Sequence, residues 1–245
     1  MKSGELGIAG ILRVALTAGA LTAVDLPARL LRRPGKSSPA TLFGLPDSRL
    51  ATDALTEARE TLSPATFAHS LRCWQWAMAF GAVDGLSPDP EALFVACALH
   101  DVALGAPADP HAGCFAVLGA RQARNFVADR DTEARAETVA TAIARHMDPA
   151  TPKRHGPEAA LLHDAAHFDV AGTRYGTLPE AFERLVVGEY SRAGFNREFA
   201  TMMRHERRVR PRSTASVLWT GGMAGVIALN PLDRLRVPEN PGART

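Results

Sequence analysis

Five ionisable side chains stand inside or at the end of otherwise apolar patterns: His69 in FAHSLRCWQWAMAF, His100 and Asp101 closing FVACALHD, His146 in VATAIARHMDP, and Asp169 in EAALLHDAAHFDVAG. At about 100° per residue, His69 shares a face with Cys73, Trp76 and Phe80, and His146 shares one with Val139 and Ile143. Asp169 falls within the arc of Leu161, Leu162, Ala165 and Ala166, so all three point inward. His163, Asp164 and His167 occupy the other side of that last helix, and the second His-Asp pair is read as a decoy on a solvated face. An uncompensated buried carboxylate costs several kcal/mol, so Asp101 and Asp169 among these imidazoles need a common partner. One divalent metal ion serves. Imidazole nitrogen with carboxylate oxygen suits zinc first, with iron or manganese as alternatives, and leaves room for a water. Singly, a histidine on an apolar face is more often a hydrogen-bonded core residue than a ligand, and an inward aspartate a cap or a partner of an arginine; the order His, His-Asp, Asp is what points to a metal.

The elements that must position these groups are helical. No sustained stretch alternates apolar and polar residues, which makes the fold class all-α, a compact helical bundle. Helices are expected near 47–61, 64–82, 89–101, 113–128, 131–147, 157–171 and 179–193. Asp89 followed by Pro90 is a strong start signal. A further helix over 6–32, open to a break near Pro27, precedes a Pro-, Gly- and Ser-containing linker at 32–40. The chain divides into an N-terminal apolar helix and linker (1–44), a helical domain (45–200) and a basic, Gly-rich C-terminal extension (201–245).

Composition narrows the class. The 245 residues are 46% hydrophobic and 22% charged, which are globular values, and the formal net charge of +2 predicts no specific nucleic-acid partner. Cys73, Cys97 and Cys114 form no CxxC pair, which fits a reducing, cytoplasmic setting. The run VALTAGALTAV at 14–24 is bounded by Arg13 and Asp25 and makes a poor secretory signal, while VLWTGGMAGVIALNP reads as too short to span a bilayer. The basic stretches ARLLRRPGK and RHERRVRPR leave open a weak peripheral contact with an anionic membrane, although solvated arginines are the simpler reading. A homo-oligomer is compatible with everything above.

The order of these residues resembles the HD superfamily of metal-dependent hydrolases, and the surrounding segments resemble its cyanamide hydratase-like branch. The similarity spans roughly residues 45–195, through LPDSRLATDALTEARETLSPATFAHSLRCWQWAMAFG, DPEALFVACALHDVALG, CFAVLGARQARNFV, VATAIARHMDP and EAALLHDAAHFDVAG. The resemblance implies His69, His100, Asp101 and Asp169 as metal ligands, and His146 as a residue that positions substrate or water. It departs at Cys114 and Ala116, where the family carries Arg and Glu, so cyanamide itself is not implied as substrate.

The leading expectation is an enzyme that activates a metal-bound water toward a small-molecule substrate, with Asp101 and His146 as the catalytic proton-handling groups. A phosphohydrolase acting on a nucleotide or other phosphoester is the alternative; Arg72, Arg121 or Arg145 would bind phosphate, and His111 with His146 would hold a second metal. A catalytically degenerate binding module is the third reading, supported by the missing Arg and Glu.

Overall fold

Serine, threonine, aspartate and proline set where most helices begin. In the computed structural model, which describes residues 2–30 and 41–235, Ser48 caps α2 (Arg49–Thr61) and Ser63 caps α3 (Pro64–Asp84). Asp89 accepts from Glu91 N and Ala92 N to open α4 (Pro90–Leu99), and Thr132 caps α6 (Glu133–Arg145). Helix α5 (Phe115–Ala128) follows Cys114, and α7 (Pro157–Ala171) starts on a proline whose missing N–H would have had no partner there. Helices α3 and α7 end on Gly85 and Gly172 in the left-handed conformation. Helix α8 (Glu180–Glu189) completes the core set, so all seven expected core helices form. Among the described residues the only bridge between extended segments is the isolated pair Ser3 and Ala112.

Helix α4 explains the arrangement. Every residue from Ala92 to Leu99 is buried, because α2, α3, α5, α6 and α7 surround it. Its C-terminal end therefore emerges in the interior, with His100 as the C-cap and Asp101 beginning the turn that follows. Phe94 meets Trp74 edge to face on one side; Trp76, Phe80, Phe168 and Phe182 form a second aromatic cluster between α3, α7 and α8.

The described segments on either side of the seven-helix set pack onto it. Helix α1 (Ile8–Leu30) continues through position 27, where a break was considered, and the expected linker at 32–40 lies outside the described residues. Backbone hydrogen bonds tie Ser3 to His111 and Gly113, and Leu6 N to Arg212 O. Helix α9 (Phe195–Val209) runs through position 200, so the expected divide at 200/201 falls within a helix. It is followed by α10 (Thr214–Leu218), a π-helical turn (Trp219–Met223) and α11 (Ala224–Ala228). The stretch Thr214–Arg234 is long and apolar enough to cross a membrane by length and composition, which corrects the expectation that this region is too short. Here it is kinked at Gly222 (φ 106°), and Leu218 and Ile227 pack against Phe195, Phe199 and Met203 of α9.

Candidate metal centre

Helix α3 delivers His69, the end of α4 delivers His100 and Asp101, the end of α6 delivers His146, and α7 delivers Asp169. All five are at most 2% exposed. The three imidazoles share one orientation. His69 Nδ1 donates to Asp169 Oδ2 (2.7 Å), His100 Nδ1 to the Cys97 carbonyl (2.9 Å), and His146 Nδ1 to the Ile143 carbonyl (2.6 Å). These acceptors place each proton on Nδ1, so each Nε2 presents a lone pair inward.

The inward atoms converge around Asp101. His69 Nε2 and His100 Nε2 are 3.2 Å apart, and Asp101 Oδ2 lies 3.6 Å from the first and 3.3 Å from the second. His146 Nε2 faces the other carboxylate oxygen, Oδ1, at 3.7 Å. Asp101 Oδ2 and His146 Nε2 have no hydrogen-bond partner although both are buried. Two ring nitrogens 3.2 Å apart beside a carboxylate need a positive charge between them, either a proton carried by one ring or a metal ion. Ligands about 2.0–2.2 Å from a tetrahedral zinc are about 3.3–3.6 Å from each other, which matches the spacing of His69 Nε2, His100 Nε2 and Asp101 Oδ2. Cys73 Sγ lies 3.7 Å from both ring nitrogens of His69, and so along neither lone pair.

Asp169 is brought into the same cluster, but its oxygens face a different set of donors. Oδ1 accepts from Arg72 Nε (2.8 Å) and Trp76 Nε1 (2.9 Å), while Oδ2 accepts from Arg72 Nη2 (2.8 Å) and His69 Nδ1 and lies 3.1 Å from Arg192 Nη1. Arg192 Nη1 and Asn230 Nδ2 also hold its backbone carbonyl. A carboxylate so placed orients the imidazole beside it, in the carboxylate–histidine arrangement that stands behind many metal ligands. Sequence reasoning missed Arg192, which lies in the loop after α8, and Phe195 of α9, which stacks on His69 at 4.6 Å and 23°. Neither carries a motif; their only signal is an aromatic and a cation next to a Gly-containing helix start.

Electrostatics follow the geometry. Burial opposes the Asp169 anion, but Arg72 and Arg192 outweigh it and hold its pKa well below the usual carboxylate range. Burial likewise opposes the Asp101 anion, and His100, His69 and His146 more than offset it, leaving that pKa lowered too. For His100, burial disfavours the cation, yet Asp101 beside it leaves the pKa raised. Burial dominates for His69, whose pKa is lowered despite Asp169, and for His146, whose pKa falls to about 3 with His100 adding to the effect.

The space beside these atoms is small, about 40 Å³, bounded by Met147, Ala166, His167, Val170, Phe199 and Met223. That volume holds a few waters or a very small molecule, since one water needs at least about 10–15 Å³. Among the arginines considered for phosphate, Arg72 is committed to Asp169, Arg145 pairs with Asp148 (3.1 Å), and Arg121 lies 4.0 Å from Asp109. His111 is exposed in its loop and lines no part of this space. Cys114 and Ala116 are buried, and the ion pair against that segment comes from α9: Glu206 accepts from Phe115 N (3.1 Å) and pairs with Arg210 (2.6 Å). Of the basic run at 204–212, Arg210 is thus spent internally and Arg212 donates to the Leu6 carbonyl.

The face of α7 opposite Asp169 is not solvated, which corrects the reading of His163 and Asp164. His163 is buried, with Nδ1 donating to the His146 carbonyl at 3.2 Å, and Asp164 pairs with Arg174. Helices α1, α10 and α11 roof this face over a cavity of about 680 Å³, and no periodicity within α7 could announce a cover supplied from the chain termini.

A family model for the HD domain matches residues 66–158. The match supports the HD-domain superfamily, takes in His69, His100, Asp101 and His146, and stops before Asp169. No curated protein matches the chain.

Proposed function

We propose that this protein is a metal-dependent hydrolase or hydratase that adds water to an uncharged carbon electrophile, of the nitrile or amide kind used in cyanamide hydratase-like chemistry. The observation that carries this reading is the pair of lone pairs, His69 Nε2 and His100 Nε2, facing each other at 3.2 Å against the unpartnered Asp101 Oδ2. These three residues would hold the ion. Asp169 does so only indirectly, by fixing the tautomer and tilt of His69, and it takes that positioning role in place of the ligand role implied by the resemblance. A divalent cation held there supplies Lewis acidity, lowering the pKa of water from about 15.7 toward about 7.

The protein's own groups supply the rest. His146, neutral by burial and with its Nε2 free, accepts a proton from the attacking water and returns it to the leaving or developing nitrogen. Phe199, Met147 and Met223 exclude bulk water from the small compartment. A phosphoester is disfavoured because the arginines near the centre are paired with carboxylates, which leaves a phosphate the metal ion and no free guanidinium. The test is elemental analysis of the purified protein and of His100→Ala, followed by a panel of nitriles, amides and phosphoesters. One zinc, iron or manganese per chain, lost in the variant, with turnover confined to nitriles or amides, is expected. Full metal content in His100→Ala would overturn the site, and metal without turnover would leave a binding module.

A further inference from the structure

We infer that the cavity between α1, α7 and the α10–α11 segment is the chamber for the apolar body of the substrate, whose uncharged polar head enters the small compartment at the metal centre. This rests on the reading above and adds the substrate class: a nitrile or carboxamide carried on a hydrocarbon body, rather than a molecule as small as cyanamide.

Three observations converge. The first is size: at about 680 Å³ the chamber falls within the range of about 300–1,000 Å³ that drug-sized ligands occupy. The second is continuity. His167, Ala171 and Met223 line both the chamber and the compartment that holds His69, His100, Asp101 and His146, so the two spaces are separated by single side chains. His167 Nε2 is buried without a hydrogen-bond partner at that junction, where a polar head passing between them would meet it. The third is chemistry. Ala15, Gly19, Val217 and Val226 make apolar walls, and the one described guanidinium on the lining, Arg174, is already bound to Asp84 at 2.9 Å and to Asp164. A charged body would cross this lining without a free counter-ion and a charged head would have the metal ion alone, whereas an amide or nitrile needs neither.

The chamber also gives the two ends of the chain a purpose. Helix α1 and the α10–α11 segment lie outside the matched HD region, yet they form the wall opposite His163 and His167.

The test is calorimetric binding of butanamide, hexanamide and octanamide to the full chain, with octyl phosphate as the charged counterpart, before and after chelation. Burial of each added methylene is expected to tighten binding about fourfold. Octanamide is expected to bind more tightly than octyl phosphate. Two variants fill the chamber from different helices, α1 and α10: Gly19→Trp, where an added Cβ meets nothing within 4 Å, and Val217→Trp. Each should remove the chain-length dependence while the metal content stays at one ion per chain; if one variant fails to fold, the other decides. A dependence below twofold per methylene, or one that survives in a folded filled variant, overturns the chamber. Tighter binding of octyl phosphate overturns the uncharged head. A chain-length dependence that persists in protein that never binds metal keeps the chamber and discards the metal reading, so the two failures are distinguishable.

Discussion

Asp169→Asn separates an orienting carboxylate from a coordinating one. In the wild-type protein four N–H groups donate to the Asp169 oxygens, two of them from Arg72, and Arg192 lies 3.1 Å away. An asparagine must turn its NH2 toward one side of this array. On the Oδ1 side it meets Arg72 Nε and Trp76 Nε1; on the Oδ2 side it meets Arg72 Nη2, His69 Nδ1 and Arg192 Nη1. Either choice forfeits at least two hydrogen bonds, one of them to a guanidinium, and leaves Arg72 buried without its counter-charge. Breaking one partner of a buried ion pair costs about 3–5 kcal/mol. For a chain of this size that corresponds to a melting temperature lower by roughly 6–20 °C. The assay is urea or thermal unfolding with and without a chelator. Most of the loss should persist after chelation, because it comes from stranding Arg72 and Arg192, and a further ~1.4–2.7 kcal/mol is expected with metal present, since losing the carboxylate behind His69 weakens metal binding about 10–100-fold. Asp101→Asn should behave oppositely: after chelation it should cost far less than Asp169→Asn, since Asp101 has no arginine to strand and its Oδ2 has no hydrogen bond to lose. The pH dependence has a definite sign. The Asp169 pKa is depressed in the folded state, so its contribution is fully present above the unfolded value of about 3.9 and is lost as pH falls toward the folded one; Asp169→Asn should flatten the acid limb. A loss below about 1 kcal/mol, or one that vanishes on chelation, would refute this account of Asp169.

Other substitutions probe neighbouring assignments. His146→Ala should keep its metal within a few-fold of wild-type affinity while His69→Ala loses it, as read by competition with a chromophoric chelator; equal losses would make His146 a ligand. Trp76→Phe keeps the aromatic packing on Phe168 and Phe182 but removes the donor to Asp169 Oδ1, and denaturant unfolding should register a cost of about 1–3 kcal/mol. Gly172→Ala combines a left-handed backbone (φ 65°) with a Cβ 2.7 Å from Pro231 Cδ, so thermal unfolding should show a loss of at least about 1–2 kcal/mol. A neutral result there would mean that the loop carrying Asn230 shifts freely.

Much of the architecture was legible because it is written locally. Ser63–Pro64 and Asp89–Pro90 start helices through their own side chains, and Gly85 and Gly172 stop them through their own backbone freedom. The inward direction of His69, His146 and Asp169 followed from the 3.6-residue period, since the apolar faces they share must be buried. The convergence of His69 with His100 and Asp101 was readable for the same reason: α4 is apolar on all sides, so its end could only emerge in the interior.

What the sequence by itself determined was therefore which residues turn inward and from which helices, because helical phase is a property of each segment alone. Tertiary structure decided which atom meets which partner. Asp169 faces Arg72, Trp76 and Arg192 as well as His69, and that outcome depends on where α3 and the loop after α8 lie relative to α7, which no single segment encodes. The burial of His163 was decided in the same way. Its face of α7 is polar enough to tolerate water, and only the docking of helices from both ends of the chain turned that face into the wall of a chamber.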